Sequence, residues 1–481
     1  MTAHWPADAN ILDPGIFPAE KGPPHALFRA WRETDPVHWN PATPDYVPTV
    51  PASSMTKGFW ALTRYQDVFD VSRDQERFSS YDEGFVIWDL EEQELALHRA
   101  NFMGMRPADH SAVKQVVLPA FAPKVLQAMV PELDRLAQEI VDDVAGQGRC
   151  EFVFEVASKL PVYTFCELMG IPEAMRAKVV DLGNAMADVE TRSLHTLDPT
   201  MQLFAISEEL CEQKRRHPDG RLLSALVHDT TLRLSQLQIN MIFLVFSIAG
   251  HETTRSTAAH FIYLMSTHPE QCELLLSDID KHLENAIEEV LRYSSTTTNF
   301  RRTATVDTEI GGHPVRKGDK IYLSYAAANR DPSVFENPDV FDITRASARK
   351  HLAFGTGPHV CIGARLARME LYALLKQILA RIPDFRISGE PKWLRSIWFN
   401  AILELPITFT PEHRRALPTA RAEKHEPLSR RSPSASSPSG ESSTYEKPNL
   451  PCAPASRALA DTPSRGCPKA ASTISAFLSK K

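Results

Sequence analysis

The chain has 481 residues, 43% of them hydrophobic and 23% charged, with a formal net charge of −7. That balance belongs to an ordinary folded protein with no basic surplus for nucleic acid, and the length is ample to bury a large cavity. Seven cysteines (Cys150, Cys166, Cys211, Cys272, Cys361, Cys452 and Cys467) include no C-x-x-C pair, which suits a reducing compartment and argues against a disulfide framework or structural zinc.

The first ten residues lack the basic and apolar regions of a signal peptide. The longest apolar run, Met241 to Gly250, is about ten residues and too short to span a bilayer. A cytoplasmic protein without a membrane anchor is expected. The first sixty residues are rich in proline and aromatics, with a helix predicted over His25 to Thr34. Alternation in Gly58 to Thr63 predicts a strand, and Arg64 to Arg73 a helix. From Val125 to about Leu379 helical periodicity dominates. The predicted helices are Val130 to Ala145, Phe152 to Met169, Pro199 to Arg216, Ser235 to Thr267, Pro269 to Asp280 and His282 to Tyr293. Short strands are predicted at Arg302 to Ile310, at Lys320 to Tyr325, and around Phe385 and Pro406. The chain reads as mainly α with small β-sheets and no internal repeat. Residues 413–481 are dense in Ser, Pro, Ala, Arg and Lys, and cannot bury enough apolar surface to offset their ordering entropy. They are expected to form a disordered tail beyond a domain at 1–412.

Chemistry concentrates in Phe354-Gly-Thr-Gly-Pro-His-Val-Cys361-Ile-Gly363, a glycine-rich turn opening onto the helical pattern that starts at Ala364. A thiolate that ligates a metal must stay deprotonated, and a helix N-terminus favours that state. Gly355 permits a positive φ, Gly363 removes a Cβ where a flat macrocycle could approach, and Phe354 would shield the sulfur. The second feature is Ser247-Ile-Ala-Gly-His-Glu-Thr-Thr254 within a long helix. Val245, Ala249 and Thr253 share one face, with Ile248 beside them. Small Ala249 and Gly250 leave room for a groove, with the acid Glu252 and the hydroxyl of Thr253 beside it for proton delivery. The third is Glu289-Val-Leu-Arg292, an acid and a cation one helical turn apart.

Together these segments resemble the cytochrome P450 superfamily over roughly residues 10 to 412. The resemblance implies a single large helical domain enclosing haem b, with Cys361 as the proximal iron ligand. It implies that Ala249, Thr253 and Glu252 belong to the oxygen-activating helix. Glu289 and Arg292 then form a structural lock, closed by partners in Phe341 to Arg345 and at His351. Val340 stands where many relatives carry arginine, so Arg345 is expected to complete the network. His110, Lys114, Arg302 and His359 match the propionate contacts, with Lys114 replacing the usual arginine and its planar fork.

The implied activity is monooxygenation, the insertion of one atom of O2 into a C–H bond. Peroxide or nitric-oxide chemistry and a haem sensor or carrier remain as alternatives. The pocket implied by the resemblance is lined by Val245, Ile248, Ala249, Thr298, Phe300, Trp398, Phe399 and the Phe85 to Phe102 loop. Its apolar character suits a small hydrophobic substrate. Segments from Phe300 and from Leu394 resemble the bacterial branch acting on sterol side chains and methyl-branched lipids, a style shared by terpenoid hydroxylases. The sequence carries no Walker or dinucleotide fingerprint, so electrons must come from a ferredoxin or flavodoxin with its NAD(P)H-dependent reductase. The basic residues Lys114, Arg349, Lys350, Arg365 and Arg368 are the expected docking patch.

Overall fold

The longest helix, Gln236–Thr267, starts at a capping box: the Ser235 hydroxyl accepts from Gln238 N–H and the Gln238 side chain accepts from Ser235 N–H. Beyond that polar start its residues are apolar or small on most faces, as a helix surrounded by others requires. Around it pack Lys159–Met169, Ile279–Ser294 and the cysteine helix Ala364–Arg381, which also lies against Pro123–Ala145. The computed structural model describes residues 9–13, 16, 22–43, 56–187 and 197–412. The segment 413–481, read above as a disordered tail, lies outside the described residues.

The architecture is mainly α with small sheets. The largest sheet has five strands, in the order Val37–Asn40, Phe59–Leu62, Lys320–Ser324, Asn299–Ala304, Phe78–Ser79. Phe59–Leu62 and Lys320–Ser324 run parallel, and the remaining pairs are antiparallel. In Asn299–Ala304, Phe300 pairs with Leu323 and Arg302 with Ile321. These two positions are two residues apart, so their side chains share one face of the sheet. The strand predicted over 302–310 is in fact two, Asn299–Ala304 and Thr308–Ile310. Helices Glu92–Ala100 and Pro107–Val117 escape the periodicity reading because each is short and weakly patterned. No single helix among the described residues is long and apolar enough to cross a membrane.

The acid–arginine pair of Ile279–Ser294 forms a closed lock. Glu289 accepts from Arg292 Nε and Nη2 at 2.7 Å each, and from Arg345 Nε at 3.1 Å, with Glu289 fully buried. Arg292 Nη1 also donates to the carbonyls of Asn329 and Pro338 at 2.8 and 2.9 Å. Arg345 closes this network, and Val340 contributes only its carbonyl, at 2.8 Å from Arg345 Nη2. His351 is not a member: its Nε2 bonds Glu288 at 3.1 Å. Consecutive helix positions point about 100° apart, so the two neighbouring glutamates serve different partners.

A third buried acid ties three helices together. Glu370, on the cysteine helix and only 4% exposed, shares hydrogen bonds with the hydroxyls of Thr164 and Thr254. Burial pushes its carboxyl up from 4.5 to about 8, against the two threonine contacts. Between those pH values the folded chain holds a proton that the unfolded chain has released. The resulting stabilisation is complete below the unfolded value and is lost as pH rises through about 8. Thermal melts from pH 5 to 9 should therefore show stability declining with pH, and Glu370→Gln, uncharged throughout, should flatten that decline. An unchanged slope in the variant would mean that Glu370 titrates near its ordinary value.

Candidate functional site

The turn before the cysteine helix is shaped by backbone demands. Gly355 and Gly357 take φ of +66° and +70°, and a Cβ on Gly357 would come within 2.8 Å of the Arg73 Cα and the Ser72 carbonyl oxygen. Only glycine meets both conditions at 357. The Cys361 N–H donates to the Phe354 carbonyl at 2.8 Å, closing the turn. The sulfur receives the N–H groups of Gly363 and Ala364 at the start of the helix. Cys361 is exposed to a cavity. Burial pushes its thiol up, while those two N–H groups and the charges of Arg368 and Lys114 pull the other way. A Cβ on Gly363 would lie 3.9 Å from the sulfur.

The cavity holds about 1580 Å³ of atom-free space, its open mouth included. Its wall carries Cys361, Phe354, Gly355 and Gly363 from the cysteine turn and Val245, Ala249, Gly250 and Thr253 from the long helix. A Cβ built on Gly250 would meet nothing within 4 Å, so the helix has a groove there. The Thr253 hydroxyl donates to the Ala249 carbonyl at 2.8 Å. That bond uses its proton and leaves the oxygen able to accept.

Glu252 departs from expectation. It is 3% exposed and absent from the cavity wall, because its carboxylate accepts from Arg255 Nη2 at 2.5 Å and Ser256 Oγ at 3.0 Å. A buried carboxylate takes the strongest donor within reach, and Arg255, one turn on, supplies it. The acid that does line the cavity is Glu370, which sequence pattern cannot single out within an amphipathic helix.

His110, Arg302 and His359 also line the cavity. The rings of His110 and His359 are 4.2 Å apart, and Arg302 is 4% exposed. Arg302 donates from Nη1 to the Arg301 carbonyl at 2.8 Å, and no carboxylate pairs with it among the described residues. Lys114 stands one step back from the wall, its Nζ donating to the Pro358 carbonyl at 2.6 Å. Burial lowers His110 to about 4, helped by Lys114 and Arg302. Burial likewise lowers His359 to about 2, with Arg302, His110 and Lys114 adding to the effect. His110 Nδ1 is buried without a hydrogen-bond partner. A cluster of donors that repel one another and lack an anion fits a ligand carrying carboxylates. With a sulfur at a helix N-terminus and a groove in the long helix, the residues present fit a haem.

Of the expected substrate contacts, Val245 and Phe300 line the cavity and Ile248, Thr298, Trp398 and Phe399 do not. Ile248 packs into the apolar cluster beside the cavity. The Thr298 hydroxyl is spent on the Ile397 carbonyl at 2.7 Å. Thr297 and Phe399 form a β-bridge, which holds that turn by its backbone. Trp398 backs the wall, its ring 6.0 Å from Phe300 and 6.5 Å from Phe85. Among the lining residues that sequence reading missed, Phe121, Thr296 and Thr297 come from segments with no motif of their own, and Phe246 lies beside Val245 on the long helix.

Comparison with known proteins agrees with this geometry. The Cytochrome P450 family model matches residues 204–392. The steroid C26-monooxygenase of Rhodococcus jostii is 30% identical over 413 residues, 84% of this chain and 85% of that protein. The linalool 8-monooxygenase of Pseudomonas putida is 29% identical, covering 84% and 99%. Among solved structures, Mycobacterium marinum cytochrome P450 CYP268A2 in complex with pseudoionone superposes with a TM-score of 0.73 and 32% identity, covering 80% of this chain and 94% of that one. The chain thus belongs to the cytochrome P450 family and is a haem b monooxygenase of hydrophobic substrates.

Proposed function

We propose that the chain hydroxylates the side chain of a sterol or the end of a methyl-branched lipid, with Cys361 as the iron ligand. The observation that carries this reading is the composition of the cavity. One part offers a sulfur and a cluster of propionate-type donors, and another is formed by the uncharged side chains of Phe85, Phe102, Met103, Val245, Phe246 and Phe300, with Glu370 as the acid on the wall. Such a wall rewards apolar area and offers a long hydrocarbon no competing ion pair. Relatives named for steroid and linalool oxidation support the same substrate range. When bound, the haem supplies dioxygen activation, placing one oxygen atom in the substrate and the other in water.

The chain's own residues divide the remaining tasks. His110, Arg302 and His359, with Lys114 behind them, receive the two propionates, and Phe354, Gly355, Gly363 and Ala249 shape the space for the macrocycle. Thr253, held by Ala249, presents an acceptor oxygen at the groove and orients the proton needed there. Glu252 takes part in proton supply only by leaving Arg255, whereas Glu370 already lies on the wall. Electrons come from a separate redox partner, and we assign that role to an acidic ferredoxin or flavodoxin. Arg349 and Arg368 are engaged by Glu284 and Glu288, leaving Lys114, Lys350 and Arg365 as patch cations that no carboxylate pairs with among the described residues.

Titrating the haem-loaded protein with a sterol bearing an intact side chain, a methyl-branched fatty acid and an acyclic terpene alcohol should give the spin-state change of water displacement. Binding should be tightest, by about tenfold or more, for the sterol or the branched acid; tighter binding of the terpene alcohol would reverse the assignment. In the same series, Cys361→Ser should lose the red-shifted Soret band of the reduced carbon monoxide complex, and persistence of that band would exclude Cys361 as the ligand.

Thr253→Ala should bind haem and substrate normally while the ratio of hydroxylated product to nicotinamide consumed falls several-fold, with the lost electrons recovered as hydrogen peroxide. Thr253→Ser, which keeps the hydroxyl, should restore most of the coupling. Unchanged coupling in the alanine variant would reduce Thr253 to a residue that shapes the groove.

A further inference from the structure

Glu288 belongs to neither the lock nor the cavity, yet it is 1% exposed and among the most heavily engaged carboxylates in the chain. Arg368 grips it with a two-pronged fork, Nε to Oε1 at 2.5 Å and Nη2 to Oε2 at 2.9 Å. His351 Nε2 adds a contact to Oε2 at 3.1 Å. His351 Nδ1 accepts the Ala353 N–H at 3.1 Å, so Nε2 carries the ring proton and donates to Glu288. Burial alone would push the Glu288 carboxyl up, but Arg368 and His351 outweigh it and hold it at about 2.

Both partners of Glu288 bear on the cysteine turn. The Arg368 guanidinium stacks over the Phe354 ring at 4.5 Å, and the His351 ring centre lies 5.7 Å from that of Phe354. Phe354 in turn accepts the Cys361 N–H at 2.8 Å. The Arg368 charge is also among the groups that favour the Cys361 thiolate. Arg368 is 32% exposed and its Nη1 also donates to the Ala364 carbonyl at 3.2 Å, so Glu288 is the charged partner that holds the guanidinium over the ring.

We propose that Glu288 is a positioning residue for the thiolate: by pinning Arg368 and His351 against Phe354, it fixes a positive charge and an aromatic shield beside Cys361 and thereby sets the reduction potential of the haem. The proposal rests on Cys361 being the iron ligand. Reduction adds a negative charge to the haem, so a nearby carboxylate opposes it and a nearby guanidinium favours it. The two charges therefore act with opposite sign in any case, and what marks positioning is a coupling between them, since Glu288 then also governs where the guanidinium stands.

The test is the midpoint potential of the substrate-free, haem-loaded protein, measured with the thermal unfolding midpoint and the iron–sulfur stretching frequency. Arg368→Gln should lower the potential. Glu288→Gln removes a negative charge but also releases Arg368, so it should raise the potential by less in the parent than in the Arg368→Gln background, with a shifted iron–sulfur frequency. Strictly additive shifts with the frequency unmoved would overturn the positioning role. Should Glu288→Gln fail to load haem, Arg368→Lys provides the second arm. It keeps the charge but loses the fork and the planar stack, and it should move the potential downward by less than Arg368→Gln, with a shifted iron–sulfur frequency. Lower unfolding midpoints with potentials and frequency unmoved would overturn the proposal and leave the pair a helix tie. The red-shifted carbon monoxide band of the parent protein is checked first. Its absence would overturn the ligand reading and this proposal with it, whereas its presence beside unmoved potentials overturns the positioning role alone.

Discussion

Holding a reactive sulfur inside a protein, where burial favours its neutral thiol, is the constraint on which the rest of this structure depends. Desolvation favours the neutral thiol at Cys361, and the opposing influences come from four separate places. Two are the N–H groups of Gly363 and Ala364, available only because a helix begins there. The other two are Arg368, one turn into that helix, and Lys114, which reaches across from Pro107–Val117 to the Pro358 carbonyl. Each demands a particular backbone, which explains why the turn needs positive φ at Gly355 and Gly357 and tolerates no side chain at 357. The geometry of the turn thus brings to the sulfur the groups that oppose its desolvation.

The same electrostatic logic runs in the opposite sense across the cavity. His110, Arg302 and His359 crowd one region and suppress one another's protonation. Without a dianionic ligand, such a cluster is a liability, since a buried cation without a counter-ion and an unpartnered His110 Nδ1 each carry a desolvation cost. A ligand with two carboxylates turns that cost into charge-assisted bonds. Haem uptake and stability of the fold are therefore linked by mass action, and the loaded chain is the more stable one.

What could be read from the sequence follows the range over which each signal acts. The cysteine turn, the Gly250 groove and the Glu289–Arg292 pair are local: residues within one turn of helix meet whatever the tertiary structure does. Arg345 was reachable from the same pattern, as the one arginine in the segment opposite the lock. The fates of Glu288 and His351 were not. Glu252 meets Arg255 one turn on in its own helix, a pair as local as the lock, whereas Glu288 depends on a cation from the cysteine helix, and a run such as Glu288-Glu289 gives no hint that its members turn to different partners. Glu370 was hidden for a related reason: among the polar positions of an amphipathic helix, only packing decides which one is buried. The substrate wall was legible in part. Val245 follows from helix periodicity and Phe300 from the family resemblance, while Thr298 and Phe399 spend their backbone or hydroxyl groups on a turn whose course no local motif reveals.

One strand joins the two halves of the chemistry. Phe300 and Arg302 occupy alternate positions of Asn299–Ala304 and both reach the cavity, one on its apolar wall and one in the donor cluster. Between them Arg301 points to the other face, where its Nη1 donates to the Trp88 carbonyl at 3.1 Å and anchors the loop that carries Phe85. The Arg301 N–H donates to the Phe85 carbonyl at 2.9 Å, so the loop is tied to the strand by backbone as well. Because strand alternation is strict, a slip of one residue would exchange the faces and remove Phe300 and Arg302 from the cavity together. Substrate contact and cofactor contact are consequently set by a single register. That register is held from both sides, by Lys320–Ser324 along Asn299–Thr303 and by Phe78–Ser79 at Thr303 and Ala304. In this fold the small sheet, though a minor share of the chain, decides how the substrate wall stands relative to the haem.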